Sequence, residues 1–205
     1  MSAACIACIG WGSLLWDPRS LPIAHPFLGD GPRLPIEFAR VARDGRVTLV
    51  IDSDAETLPI GTYWTRLEVP DLDAAIESLG RRERIKPARF GEWIGAEGRD
   101  GASRGEALPE TRSTMRAFLA DQGLDGVVWT ALPSRTPKGE FARPSLDSLV
   151  AHLQTLAGEA LARAEEYIRR APEAVVTRNR TRFEEALGWT RSTLPPNPGT
   201  PGQGD

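Results

Sequence analysis

Apolar and polar positions alternate between three patterns along the chain, and each pattern predicts an element. Cys5-Ile6-Ala7-Cys8-Ile9 is an uninterrupted apolar run, the signature of a central strand covered on both faces. Gly10-Trp11-Gly12-Ser13-Leu14-Leu15-Trp16 follows it, with glycines that allow close approach to the backbone. From Asp17 to Pro35 five prolines and two glycines predict a loop. Ile36 to Ala42 and Val47 to Ile51 read as strands joined by an Asp44-Gly45 turn, with Ile60 to Leu67 as a third strand. Their closeness in sequence favours an antiparallel meander over parallel crossovers.

After Pro70 the period lengthens. Leu72, Ala75, Ile76 and Leu79 fall at helical spacing, Asp71 or Asp73 can cap the start, and Gly80 is a candidate stop. Arg89 to Ile94 is expected as a strand and Gly95 to Gly105 as a polar loop. Pro109 and Glu110 open a second helix, bearing Met115, Phe118 and Leu119 and ending at Gly123. Val127 to Leu132 is a late buried strand. From Ser145 an apolar stripe runs through Leu149, Leu153, Ala160, Ala164 and Ile168 until Pro172, and a shorter helix is expected around Arg180 to Leu187. The Pro/Gly-rich tail from Thr193 has too little apolar surface to order itself.

Composition narrows the picture only a little. A length of 205 residues, 40% hydrophobic and 26% charged, suits one large globular unit. A net charge of −3 points to neither nucleic acid nor an anionic membrane surface. No apolar run approaches the roughly 20 residues of a bilayer span, and no basic segment precedes the first apolar residues as in a secretory signal. The two cysteines, Cys5 and Cys8, lie inside the predicted strand rather than at the start of a helix, so they read as inert thiols of a reduced, cytoplasmic protein.

Familiar motifs are absent from the Gly-rich turn. The third glycine of a dinucleotide fingerprint is replaced by Leu15, and Gly12-Ser13-Leu14 is not a nucleophile elbow. His25 and His152, the only histidines, read as a loop residue and a helical surface residue rather than as partners of Ser13. Trp64 and Trp129 read as core. Arg40, Arg43 and Arg46 read as solvated hairpin charges. Six arginines against three glutamates between 163 and 182 read as a solvated helical face.

Two short segments carry a resemblance. Trp11-Gly12-Ser13-Leu14, directly after a strand, resembles the signature turn of the γ-glutamylcyclotransferase-like superfamily. Leu79-Gly80-Arg81-Arg82-Glu83, after the first helix, resembles its L-x-x-R-E segment. The likeness covers roughly Cys5 to Leu132. It implies an α+β fold: a small mixed or mostly antiparallel β-barrel with inserted helices, here over residues 1–132. A C-terminal helical extension (133–192) and the disordered tail (193–205) would follow. It further implies intramolecular cleavage of a γ-glutamyl amide to 5-oxoproline and a free amine, without cofactor or metal, with Glu83 as general acid/base. The turn residues Trp11, Gly12, Ser13 and Leu14 would contact the substrate. Trp11 stands where the family carries Tyr, and Phe90 stands near the place of a second family Tyr, so a more apolar pocket lined by Trp11 and Phe90 is expected. The partner is then a small γ-glutamyl compound, with no nucleic acid and no membrane. The other readings are a metabolite-binding protein of the same fold without turnover, and an interaction protein whose C-terminal helices dock a partner or form a homodimer.

Overall fold

A computed structural model describes residues 4–54 and 56–190. The predicted disordered tail lies outside the described residues. The first strand, β1 (Ile6–Gly10), is central, as its apolar run requires. It pairs antiparallel with β5 (Ile60–Leu67) on one side and parallel with β8 (Gly126–Thr130) on the other. Outside β5 lies β2 (Leu28–Leu34); outside β8 lie β6 (Ile94–Gly98) and β7 (Ser103–Arg104). The order β2-β5-β1-β8-β6-β7 makes a mixed, antiparallel-rich sheet. No strand pairing joins β2 to β7 among the described residues, so the hydrogen bonds do not close the expected barrel.

The hairpin of β3 (Ile36–Val41) and β4 (Val47–Ile51) forms at the Asp44-Gly45 turn, but it is a separate two-stranded sheet. The expected meander is therefore broken: β5 leaves β4 and pairs with β2 and β1 instead. The loop reading of 17–35 also needs correction, because Leu28–Leu34 is an edge strand with register shifts at Gly31. Glycine and proline hide such a strand from a periodicity search, yet an edge tolerates them. Likewise most of the strand expected at 89–94 is a 3-10 turn followed by the short helix α2 (Phe90–Trp93); the pairing begins only at Ile94 and runs on to Gly98, into the segment read as a loop.

Alternation along β1 divides the interior. Ile6 and Cys8 face one apolar cluster with Ala75, Ile76 and Leu79 of α1 (Leu72–Arg82). Ala7 and Ile9 face the other, with the hairpin, Met115, Phe118 and Leu119 of α3 (Pro109–Asp121), and the C-terminal helices. Those helices are α4 (Leu146–Thr155), α5 (Gly158–Arg170) and α6 (Arg178–Leu187). The single stripe expected to Ile168 is broken where Leu156 and Ala157 take extended backbone (φ −71°, ψ 148° and φ −143°, ψ 163°).

Two buried polar groups dock the C-terminal helices. Glu37 of β3 accepts from the Thr177 hydroxyl (2.6 Å), the Asn179 N–H (3.2 Å) and the Phe38 N–H (2.7 Å). Burial pushes its carboxyl above the usual range, and these hydrogen bonds pull it back only in part. Arg180, fully buried, donates to the carbonyls of Pro172 (2.7 Å), Val175 (2.9 Å) and Ala171 (2.8 Å) and pairs with Glu184. It pins the chain between α5 and α6 where Pro172 prevents helical bonding.

Candidate functional site

The chain leaves β1 at Gly10 and tightens at once into a 3-10 turn, Ser13–Leu15, closed by the Leu15 N–H to the Gly12 carbonyl (3.1 Å). As the first donors of that turn, the Ser13 and Leu14 N–H groups have no acceptor within it. Gly12 is required by a close approach: a Cβ there would stand 2.6 Å from the Tyr167 hydroxyl of α5. The helix that reaches the turn is therefore one from outside the segment carrying the family resemblance.

Glu83 comes from the other side. Asp71 caps α1, accepting from the Ala74 N–H (2.8 Å), and Ala75, Ile76 and Leu79 seat the helix on the sheet. Gly80 does not end it. The helix continues to Arg82, and Gly80 is small for another reason: Phe90 covers it so closely that a Cβ would meet the ring at 2.3 Å. Glu83 is the C-cap. The Arg84 N–H bonds the Arg81 carbonyl (3.0 Å) and the Ile85 N–H the Gly80 carbonyl (3.0 Å), which is a Schellman closure. Its left-handed position, normally glycine, is Arg84 at φ +55°.

Arg82 joins these two pieces. Its side chain is buried, donating to the Glu83 carboxylate (2.5 Å), the Ser13 hydroxyl (3.3 Å) and the Asp17 carbonyl. Its own carbonyl accepts from Arg19 (3.2 Å). Arg19, at φ +54°, and Arg84 are the two non-glycine residues with positive φ among the described residues. Each left-handed non-glycine costs about 1–2 kcal/mol. Both flank the Arg82 bridge, and backbone strain of this kind gathers at functional sites.

Beside the turn opens a polar cleft of about 350 Å³. Ser13, Trp16, Asp17 and Arg19 form one wall, Arg46 stands at the hairpin end, and Arg163, Glu166, Tyr167 and Arg170 of α5 form the other wall. Trp16 and Tyr167 meet edge to face (centroids 5.6 Å apart); Arg170 lies over Trp16 and Arg46 over Tyr167, each 5.4 Å from the ring centre. Burial raises the Tyr167 phenol to about 12, the nearby charge of Glu83 adding to the rise. At neutral pH it is an uncharged hydroxyl able to donate.

The sequence-predicted residues are thus divided. Ser13 and Glu83 are brought together through Arg82, with Gly12 against Tyr167. Trp11 turns the other way: it is 3% exposed, its indole N–H donates to the Leu49 carbonyl (3.4 Å), and it anchors the turn to the hairpin. The Leu14 side chain packs in the α1 cluster, leaving only its backbone for the turn. Phe90 covers Gly80 and is not among the residues lining the cleft. Neither is Glu83, whose side chain is 17% exposed behind the cleft wall. The cleft is consequently charged rather than apolar.

Other expectations can be placed as well. Trp129 is fully buried and Trp64 nearly so. His152 bonds the Gly45 carbonyl (2.8 Å), and His25 contacts Thr65 and the Arg66 N–H. Both cysteines are free thiols; burial, then Glu83, pushes Cys8 upward. Arg40 is partly buried against Trp93 rather than solvated. The arginine-rich segment after residue 162 is likewise not a uniform solvated face, since Arg163 and Arg170 line the cleft and Arg180 is internal. Tyr167 and the α5 arginines were missed because helical periodicity marks Tyr167 as core and says nothing about where α5 docks.

No group of three or more His, Cys, Asp or Glu able to hold a metal occurs among the described residues. No helix there is long and apolar enough to cross a membrane. No family model, curated protein or solved structure matches the chain.

Proposed function

We propose that the protein is a γ-glutamylcyclotransferase-like enzyme that converts a γ-glutamyl amide into 5-oxoproline and a free amine. The observation that carries this reading is the Arg82 bridge, which ties the Glu83 carboxylate (2.5 Å) to the Ser13 turn (3.3 Å). In the reaction the neutral α-amine of the substrate attacks its own side-chain carbonyl carbon, closing a five-membered ring. The substrate supplies both reactants, so the protein's task is to fold it and move protons. Glu83 takes one proton from the attacking amine. The N–H groups of Ser13 and Leu14 hold the oxyanion. When the bond to the leaving nitrogen breaks, Glu83 returns the proton to that nitrogen. The Tyr167 hydroxyl, packed on Gly12, supplies the donor that the family's Tyr would bring and that Trp11 lacks.

The chemistry calls for no cofactor, and free thiols at Cys5 and Cys8 suit a reducing cytoplasm. In this reading the sheet and the β3–β4 hairpin correspond to the family's barrel. Glu83 standing behind the cleft wall favours a second reading, metabolite binding by the same fold without turnover. Incubation with a panel of γ-glutamyl dipeptides and γ-glutamyl amines, followed by mass spectrometry for 5-oxoproline, separates the two. Release from at least one compound is expected. Saturable binding without product would replace the first reading with the second.

A further inference from the structure

The cleft wall supplied by α5 has a charge that the cyclisation chemistry does not use. Four arginines line one cavity: Arg19, Arg46, Arg163 and Arg170. The lining carboxylates are two, Asp17 and Glu166; Asp44 and Glu159, which pair with Arg46 and Arg163, lie outside the lining, so the cavity wall itself presents four cations and two anions although the ion pairs as a whole balance. In the ion pairs each arginine engages a carboxylate through one nitrogen: Arg19 with Asp17 (3.0 Å), Arg46 with Asp44 (2.8 Å), Arg170 with Glu166 (2.8 Å) and Arg163 with Glu159. A guanidinium carries five N–H donors in a planar fork, so a single-nitrogen pair leaves room for a second oxyanion. Arg46 and Arg170 are further held over the Tyr167 and Trp16 rings, which fixes their planes instead of leaving them to sweep solvent. Arg19 is set by its left-handed backbone and its bond to the Arg82 carbonyl. The cavity of about 350 Å³ is larger than a single inorganic anion and suits a small organic molecule.

We propose that this cleft binds a small organic dianion, a dicarboxylate or a phosphate monoester, between the 13–19 turn and the arginines of α5. The C-terminal helices are then part of a ligand site rather than an appended support. The proposal stands apart from the cyclisation reading, because a chain that forms no 5-oxoproline can still bind a dianion here, and an active enzyme can lack the site.

The test is isothermal titration of the full-length protein at near-neutral pH and low salt with glutarate, inorganic phosphate and, as a monoanion control, butyrate. Saturable binding of glutarate or phosphate is expected at least about tenfold tighter than butyrate, and the stronger of the two tells dicarboxylate from phosphate. The double variant Arg163→Gln/Arg170→Gln should weaken it about tenfold or more. Arg178→Gln/Arg182→Gln, which removes two exposed arginines of α6, should leave it unchanged. If the first double variant does not fold, Arg163→Gln alone, at a half-exposed site, carries the comparison with a loss of several-fold. Equal affinity for glutarate, phosphate and butyrate, or dianion binding that survives loss of the α5 arginines, overturns the proposal.

Discussion

Glu97 and Glu83 are both carboxylates beside arginine, and the contrast between them is that of an ion pair holding helix to sheet with the one proposed to do chemistry. Glu97, on β6, is fully buried. One oxygen accepts from Ser103 (2.7 Å) and Arg112 (2.6 Å), the other from Arg116 (2.7 Å). Both arginines come from α3, so the cluster clamps helix to sheet. Glu83 gives one oxygen to Arg82, and no hydrogen bond to its other oxygen occurs among the described residues. Its arginine is the adjacent residue and clamps no element to another through Glu83; the guanidinium reaches the turn instead. A saturated carboxylate has nothing left with which to move a proton, whereas a half-engaged one at a strained helix end does.

The largest expected effect lies on the Glu97 side. Arg112→Ala removes one of the two arginines that compensate a buried charge, leaving Arg116 and Ser103, and should cost about 2–3 kcal/mol in urea unfolding at neutral pH. The cluster also has a definite acid response. Burial pushes the Glu97 carboxyl up, but the Ser103, Arg112 and Arg116 hydrogen bonds outweigh it and hold it below the usual range. Below that usual range the unfolded chain takes up the proton first, so stability falls as pH drops through the lowered Glu97 value, and it is fully present above the ordinary carboxylate range. Arg112→Ala should flatten this acid limb. A loss under about 1 kcal/mol, with the limb intact, would mean that Arg116 and Ser103 suffice and that the two clusters differ less than the geometry says.

A smaller effect tests the strain on the Glu83 side. Arg84→Gly relieves a left-handed residue but makes the unfolded chain more flexible, for a net gain of roughly 0.5–1 kcal/mol. A rise in the thermal midpoint is expected. A fall would show that the Arg84 side chain, not the backbone turn, holds Glu83 in place.

How much of this contrast was legible in the sequence depends on how local each signal is. The β1 run, the Asp44-Gly45 hairpin, the Asp71 cap and the stripes of α1 and α3 are set by neighbours a few residues apart, and they appear where expected. Strand β6 was not legible. Gly95 is small because the Trp129 ring lies on it, with a Cβ position only 2.1 Å from the ring, and that contact comes from a partner strand far along the chain. The end of α1 was misread for the same reason, Phe90 on Gly80. At the site, Ser13 and Glu83 sit in short motifs and could be singled out. Tyr167, Arg163 and Arg170 join them only through the docking of α5 against β4, a long-range packing event that no local pattern encodes.

The central claim, that the half-engaged carboxylate is the one that moves protons, is tested most directly by measuring 5-oxoproline release by the Glu83→Gln variant. The amide keeps the size of the side chain and a hydrogen bond from Arg82 but cannot take the proton. With the best substrate of the panel, a fall in kcat of at least about a hundredfold is expected, with the thermal midpoint close to that of the parent protein. Product release at the parent rate by a folded Glu83→Gln protein would contradict the account.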